Sequence, residues 1–352
     1  VFEAAKHTAE QALPGTIYVQ KSTVPVGTGS KIETIFADLQ KDIQYVSNPE
    51  FLREGTALYD TLFFDRVVVG GRSNAATDRI TAIYMTLEQF REHIAHIAHI
   101  AVGSRGDQYI TTTLNSAELI KVTSNAFLAL KISFANSIAM LADKADADVV
   151  EVMNAVGADN RIGRAFLNAG RGYGGGCFPK DVSGLIASAL DYGVDLEIMH
   201  AAQSLNNALP GYIVDRLQDA FQGSLKGKRI AVLGLAFKAG TSDVRRSPGI
   251  TIANLLTRSG AIVSTYDPQS MYEAIEELAP EITVAASIDE AITDAEATLL
   301  TTEWPEFLNY PAQQFASRMA GTILYDTVNR YDTIEAQAAN LYYIGIGHQA
   351  IG

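Results

Sequence analysis

The lone cysteine of the chain, Cys177, closes a glycine run and opens a helix-forming stretch: Gly172-Tyr173-Gly174-Gly175-Gly176-Cys177-Phe178-Pro179-Lys180-Asp181. Glycines let backbone amides approach a ligand closely, and the amino end of a helix carries partial positive charge. Pro179 suits the first turn of such a helix. Helix field and neighbouring Lys180 both favour the thiolate, the nucleophilic form of the side chain. Asp181 lies one helical turn beyond Cys177, where it can serve as a base or an orienting acceptor. The bland alternative is a small apolar side chain beside a flexible turn, the commoner fate of a cysteine. Here the flanking residues favour chemistry.

A second set of groups follows the same logic. Lys121 and Asn125 are four residues apart on one helical face and can donate hydrogen bonds to a developing oxyanion. An arbitrary Lys/Asn pair is more often a solvated polar strip, but Leu119, Ile120, Val122, Phe127 and Leu128 around this one argue against full exposure. Thr23 and Glu50 each follow a strand-like run, the place where doubly wound sheets gather ligands, although either also fits ordinary turn chemistry. Lys238, Arg245 and Arg246 put cations in a βα-type loop that can hold phosphate. The triplet His93, His96, His99 spreads around a helix with no carboxylate cluster beside it, so no metal site is expected.

Short β-branched runs alternate with helical stretches, the pattern of a parallel-sheet α/β protein. Thr16–Lys21, Ile43–Ser47 and Arg66–Gly70 read as buried strands, half of a doubly wound sheet. Residues 75–101 read as helix. Ser116 to Ala145 reads as a long helix, apolar almost all round, which must be covered on several sides. A helix over 197–222 is expected to break near Pro210. Arg229–Leu235, Ala261–Tyr266, Ala297–Thr301 and Ile323–Tyr325 make strands of a second βαβ region. The expected division is residues 1–107, 108–222 and 223–352.

With 352 residues, 47% apolar and 19% charged, the chain is a multidomain globular protein. Its formal charge of -13 disfavours nucleic acid and anionic membrane as partners, while local cations and amides leave small phosphates open. One cysteine forbids an intrachain disulfide and suggests a reducing, cytoplasmic compartment. No stretch reaches the run of about 20 apolar residues that spans a bilayer, and Val1 to Gln11 shows no leader.

Five ordered stretches, Lys21–Gly27 (KSTVPVG), Asn48–Gly55 (NPEFLREG), Ala117–Lys121 (AELIK), Gly172–Asp181 (GYGGGCFPKD) and Gly234–Pro248 (GLAFKAGTSDVRRSP), resemble the UDP-glucose/GDP-mannose dehydrogenase family across nearly the whole chain. The resemblance implies two Rossmann-like parallel-sheet domains joined by a long central helix that forms a homodimer, the first domain incomplete. It implies NAD-dependent four-electron oxidation of UDP-glucose to UDP-glucuronate, with GDP-mannose and UDP-N-acetylhexosamine oxidation, or silent sugar-nucleotide binding, as alternatives. By the same resemblance Cys177 is the nucleophile, forming a thiohemiacetal and then a thioester. Asp181 and Thr23 assist proton removal, Lys121 and Asn125 stabilise oxyanions, and Glu50 assists thioester hydrolysis. Phe51, Leu52, Arg53, Glu54, Arg161, Tyr173, Gly174, Gly175 and Lys238 hold the UDP-sugar, with Arg245 and Arg330 near phosphates. Thr23, Glu54, Lys180 and Arg245 face NAD. Family members open with a strand, a GxGxxG-type turn and an acid after the second strand, none of which precedes Val1. The expectation is weak NAD binding beside retained UDP-glucose binding. The stretch from Glu88 to Asp107 exceeds what the family needs.

Overall fold

A computed structural model describes residues 1–103 and 108–348; part of the long Glu88–Asp107 stretch therefore lies outside the described residues. The chain forms two compact units, one of Val1–Asn125 with Ser183–Asp195, the other of Ala126–Val182 with Leu196–Gly352.

The first unit runs α1 (Phe2–Gln11), β1 (Thr16–Gln20), α2 (Thr28–Asp38), β2 (Ile43–Ser47), α3 (Ala57–Leu62), β3 (Arg66–Gly71), α4 (Asn74–Ile97) and β4 (Gln108–Thr112), then enters the long α5 (Leu114–Ala145). Its sheet has the order β1-β2-β3-β4. β1 with β2 and β3 with β4 are parallel, but β2 and β3 pair antiparallel through Val46–Gly71 and Ser47–Gly70. The all-parallel expectation is corrected at this one pairing. Ile32, Phe36, Tyr45 and Leu114 pack one face, and Val46, Val67, Val69 and Ile80 pack the other, which is why these strands read as nearly continuous apolar runs.

The second unit contains α6 (Val149–Gly157), the start of α7 (Phe178–Asp191), and α8 (Glu197–Ala220). Asp148 caps α6 by accepting from Val150 N at 2.7 Å and Glu151 N at 3.0 Å. Its sheet comprises β5 (Arg229–Leu233), β6 (Ile262–Tyr266), β7 (Thr283–Val284), β8 (Ala297–Leu300), β9 (Ile323–Asp326) and β10 (Tyr342–Gly345), with α9 (Pro248–Arg258) after β5. Every pairing is parallel and the order is β10-β9-β8-β5-β6-β7, the doubly wound order, with its switch point between β5 and β8.

Two further expectations need correction. α8 runs through Pro210 without interruption, giving up only the intrahelical bond that a proline cannot donate to Asn206. And α5 is long and apolar enough, by length and composition alone, to cross a bilayer, because its polar residues are few and scattered. Those residues are the informative ones. Glu118, Lys121, Asn125 and Asn136 are buried, and Asn136 Oδ1 accepts from Gly170 N at 2.8 Å, which ties the helix to the start of the glycine run.

Candidate active site

In the second unit the glycine loop is held in place from two directions. Tyr173 N donates to Asn206 Oδ1 at 2.8 Å, and Asn206 Nδ2 donates back to Tyr173 O at 3.1 Å. Gly175 N donates to Arg245 O at 2.9 Å. Gly175 has φ +80°, and a Cβ there would sit 2.7 Å from the Phe237 ring. Left-handed backbone and absent space both demand glycine. Gly175→Ala is therefore expected to destabilise the protein by about 1–3 kcal/mol, read as a lower midpoint in urea; an unchanged midpoint would contradict this packing.

The loop delivers Cys177, exposed, to the residue just before α7. Its carbonyl accepts from Asp181 N at 2.9 Å, so the thiol sits at the amino end of that helix. Phe178 is fixed edge-on against Tyr173 and Phe166, with ring centroids 6.0 and 6.1 Å away. Asp181 is buried and its Oδ1 lies 2.5 Å from Lys180 Nζ. The charge of Lys180, expected beside the thiol, is thus bound to Asp181 and holds that carboxylate in one orientation.

A pocket of about 210 Å³ opens in the same unit, lined by Phe166, Asn168, Gly170, Arg171 and Gly172 from the glycine-loop side. The residues facing them follow three neighbouring strands: Phe237 after β5, Glu303 after β8, and Thr327 and Arg330 after β9. That is the carboxyl edge at the switch point, where doubly wound sheets receive ligands.

In the first unit, Thr23 lies between β1 and α2 and Glu50 between β2 and α3, both past strand ends as expected. Lys121 is 4% exposed, and its Nζ is 3.7 Å from Glu50 Oε1. Glu50 Oε2 accepts from Leu52 N at 2.6 Å. The Phe51 ring carries the Arg66 guanidinium at 3.8 Å and the Lys121 ammonium at 5.2 Å from its centroid. Lys121, Asn125 and Glu50 are therefore no solvated strip. They are a desolvated cation and amide with one carboxylate in reach.

Three of the arginines chosen from sequence, Arg53, Arg161 and Arg245, are held by local acids. Arg53 is clamped by Asp60, with Nη2 at 2.6 Å, Arg161 by Asp159 at 2.5 Å, and Arg245 by Asp243 at 2.6 Å. The hydrogen bonds it donates to Asp60 push the Arg53 guanidinium above its ordinary value. All three are exposed, so these pairs are weak and exchangeable. Lys238 Nζ stands 5.7 Å from the Phe237 ring, and Glu54 is exposed.

Sequence reasoning missed the acids that close the glycine turns. Glu118, buried, accepts from Gly27 N at 2.7 Å and Gly29 N at 2.8 Å, and burial pushes its carboxyl above the usual range. Asp267 accepts from Leu235 N at 2.7 Å, Ala236 N at 3.0 Å and Trp304 Nε1 at 3.0 Å. The usable signal for Glu118 was its place three residues before Lys121, on the same helical face. A dinucleotide pyrophosphate needs free backbone amides at such a turn. At Gly27–Gly29 and at Leu235–Ala236 these amides already serve carboxylates, so neither turn supplies that cradle.

A complete doubly wound sheet, a second α/β sheet, and a cysteine presented by a glycine loop at a helix head define a dehydrogenase-type α/β protein. Three family models match in order: the NAD binding domain over residues 1–88, the central domain over 115–208, and the UDP binding domain over 231–333 of the UDP-glucose/GDP-mannose dehydrogenase family. The chain is 38% identical over 351 residues to UDP-glucose 6-dehydrogenase TuaD of Bacillus subtilis, covering 99% of this chain and 72% of that protein. It is 37% identical to UDP-glucose 6-dehydrogenase of Rhizobium meliloti over 99% of this chain and 77% of that one. A UDP-glucose dehydrogenase structure from Pyrobaculum islandicum matches with TM-score 0.82 and 33% identity, over 99% of this chain and 75% of that one. The chain belongs to the UDP-glucose/GDP-mannose dehydrogenase family.

Proposed function

We propose that the chain catalyses the NAD-dependent four-electron oxidation of UDP-glucose to UDP-glucuronate. The observation that carries this reading is Cys177, exposed at the head of α7 on a glycine loop packed by Asn206 and Arg245, in a chain that matches the family's NAD and UDP binding domains. NAD, the cofactor of the amino-terminal family domain, supplies the hydride acceptor. Because the turns at Gly27 and Leu235 are closed by carboxylates, no step is routed through their amides.

The chain's own residues have the following parts. The C6 alcohol loses a proton and a hydride to become an aldehyde, with Asp181 and Thr23 assisting proton removal. The Cys177 sulfur adds to the aldehyde carbon, giving a thiohemiacetal whose loss of a second proton and hydride leaves a thioester. Water, assisted by Glu50, attacks that carbonyl and expels the thiolate, which restores Cys177 and yields the carboxylate. Lys121 and Asn125 stabilise the oxyanions formed at these stages. Phe51–Glu54, Arg161, Tyr173–Gly175 and Lys238 bind the UDP-sugar. Ligand phosphates displace the acids from Arg245, and they meet Arg330. Lys180 and Glu54 act toward the cofactor. Residues 1–107 form the cofactor region, 108–222 the central region and 223–352 the UDP-sugar region.

Two NADH per UDP-glucose consumed, with UDP-glucuronate as product, is the expected result at saturating NAD. A ratio of one with accumulating aldehyde would overturn the four-electron course. Faster turnover of GDP-mannose or a UDP-N-acetylhexosamine would reassign the substrate.

The proposal extends to a homodimer in a reducing, cytoplasmic setting. On α5 the large apolar side chains Leu119, Phe127, Phe134 and Leu141 are exposed. The last three repeat at seven-residue intervals, the spacing of a helix seam that meets a partner helix. Phe134→Glu is expected to weaken dimerisation by at least about 100-fold, seen as a shift to monomer by light scattering. A wild-type protein that is monomeric at high concentration would remove the dimer.

A further inference from the structure

Among the described residues Arg171 is the buried arginine. It is 5% exposed, and one guanidinium nitrogen donates to Phe237 O at 2.8 Å. The same nitrogen meets the Glu303 carboxylate only at 3.8 Å. Its Nε is buried with no hydrogen-bond partner. Leaving a charged donor unanswered in the interior is costly, and folded proteins rarely do so without a functional reason. Burial also pulls the guanidinium below its ordinary value, and Glu303 and Asp267 only partly offset this. The side chain lines the pocket at the carboxyl ends of β5, β8 and β9, together with Arg330, Asn168 and Thr327. A pocket with two arginines and one half-exposed carboxylate is short of negative charge.

We propose that Arg171 is a phosphate-binding residue of this pocket, its free Nε–H and the guanidinium charge taking the diphosphate of the nucleotide-sugar substrate. The proposal rests on the reading of the substrate as a UDP-sugar. A guanidinium offers planar, paired donors that match phosphate oxygens, and a bound diphosphate would supply both the missing acceptor and the missing counter-charge. The donor to Phe237 O ties the same side chain to the loop after β5, so the anion would be read by a group already held in place.

Isothermal titration of UDP, uridine and inorganic pyrophosphate into the chain and into Arg171→Gln and Arg171→Lys tests this, with thermal midpoints measured for each. Arg171→Gln is expected to weaken UDP about 10- to 100-fold and uridine less than about threefold, with Arg171→Lys between it and the parent. Unchanged UDP affinity overturns the proposal and leaves the substrate reading intact. Equal losses for UDP and uridine also overturn it, and make Arg171 a strut for the loop. If the parent chain ignores UDP but binds pyrophosphate through Arg171, the UDP-sugar reading falls and the anion site stands. Binding of neither overturns it. Should the variants unfold, the Arg171 Nε–H resonance of the parent chain decides: a shift with UDP and none with uridine supports the role, and no shift with UDP removes it.

Discussion

Cys177→Ser is expected to lower UDP-glucuronate formation by on the order of 10⁴-fold or more, the scale of losing a covalent nucleophile. A serine hydroxyl ionises far less readily than a thiol, and the carboxylate one helical turn on, Asp181, is buried and bound to Lys180. The side chain being exposed, the substitution opens no cavity, and the free energy of unfolding should stay within about 1 kcal/mol of the parent, as for other exposed sites. Product analysis by mass spectrometry, with the thioester sought on Cys177 in the parent, reads the effect. Steady turnover to UDP-glucuronate by the serine variant would remove Cys177 from the chemistry.

Lys121→Ala is expected to reduce kcat by about 10²–10³-fold, the usual loss on removing one oxyanion donor, with a smaller change in sugar-nucleotide affinity. The physical reason is the burial of the ammonium beside Glu50 and the Phe51 ring. In low dielectric a charge acts more strongly on a developing oxyanion than it would in water. Removing it also leaves Glu50 without its cation, so Lys121→Ala with Glu50→Gln separates the two effects. Glu50→Gln alone is the baseline, since Glu50 has its own part in thioester hydrolysis: a double variant as stable as Glu50→Gln but slower shows that the lysine acts on the reaction. Unchanged kcat with weakened UDP-glucose binding would make Lys121 a substrate-holding residue instead.

Much of this was legible in the residues. Glycines before a cysteine and a proline in the following helical turn announce a backbone loop and a helix head by local propensity alone, and the structure has both at Gly172–Cys177 and α7. The β-branched runs located most of the strands because a doubly covered parallel strand must be apolar along its whole length. The spacing of Lys121 and Asn125 put them on one helical face, and the single long α5 carries both.

What the chain order could not show was which donors meet which acceptors across sequence distance. Glu118 reaches Gly27 and Gly29 about ninety residues away, and Asp267 closes the turn after β5 from the end of β6. Only folding brings these groups together, and it leaves the amides of both turns satisfied from within. The antiparallel pairing of β2 with β3 was likewise invisible, because strand direction depends on the path of the α3 connection and not on side-chain type. Arg171 makes the same point most sharply. In the sequence it is one cation in a glycine run; its burial, its free Nε and its place on the pocket wall are set by the loop after β5 and by Glu303 after β8. Local propensity and periodicity determined the elements and the place of Cys177 at a helix head, while desolvation and charge pairing, which depend on the whole fold, decided what the charged groups can do.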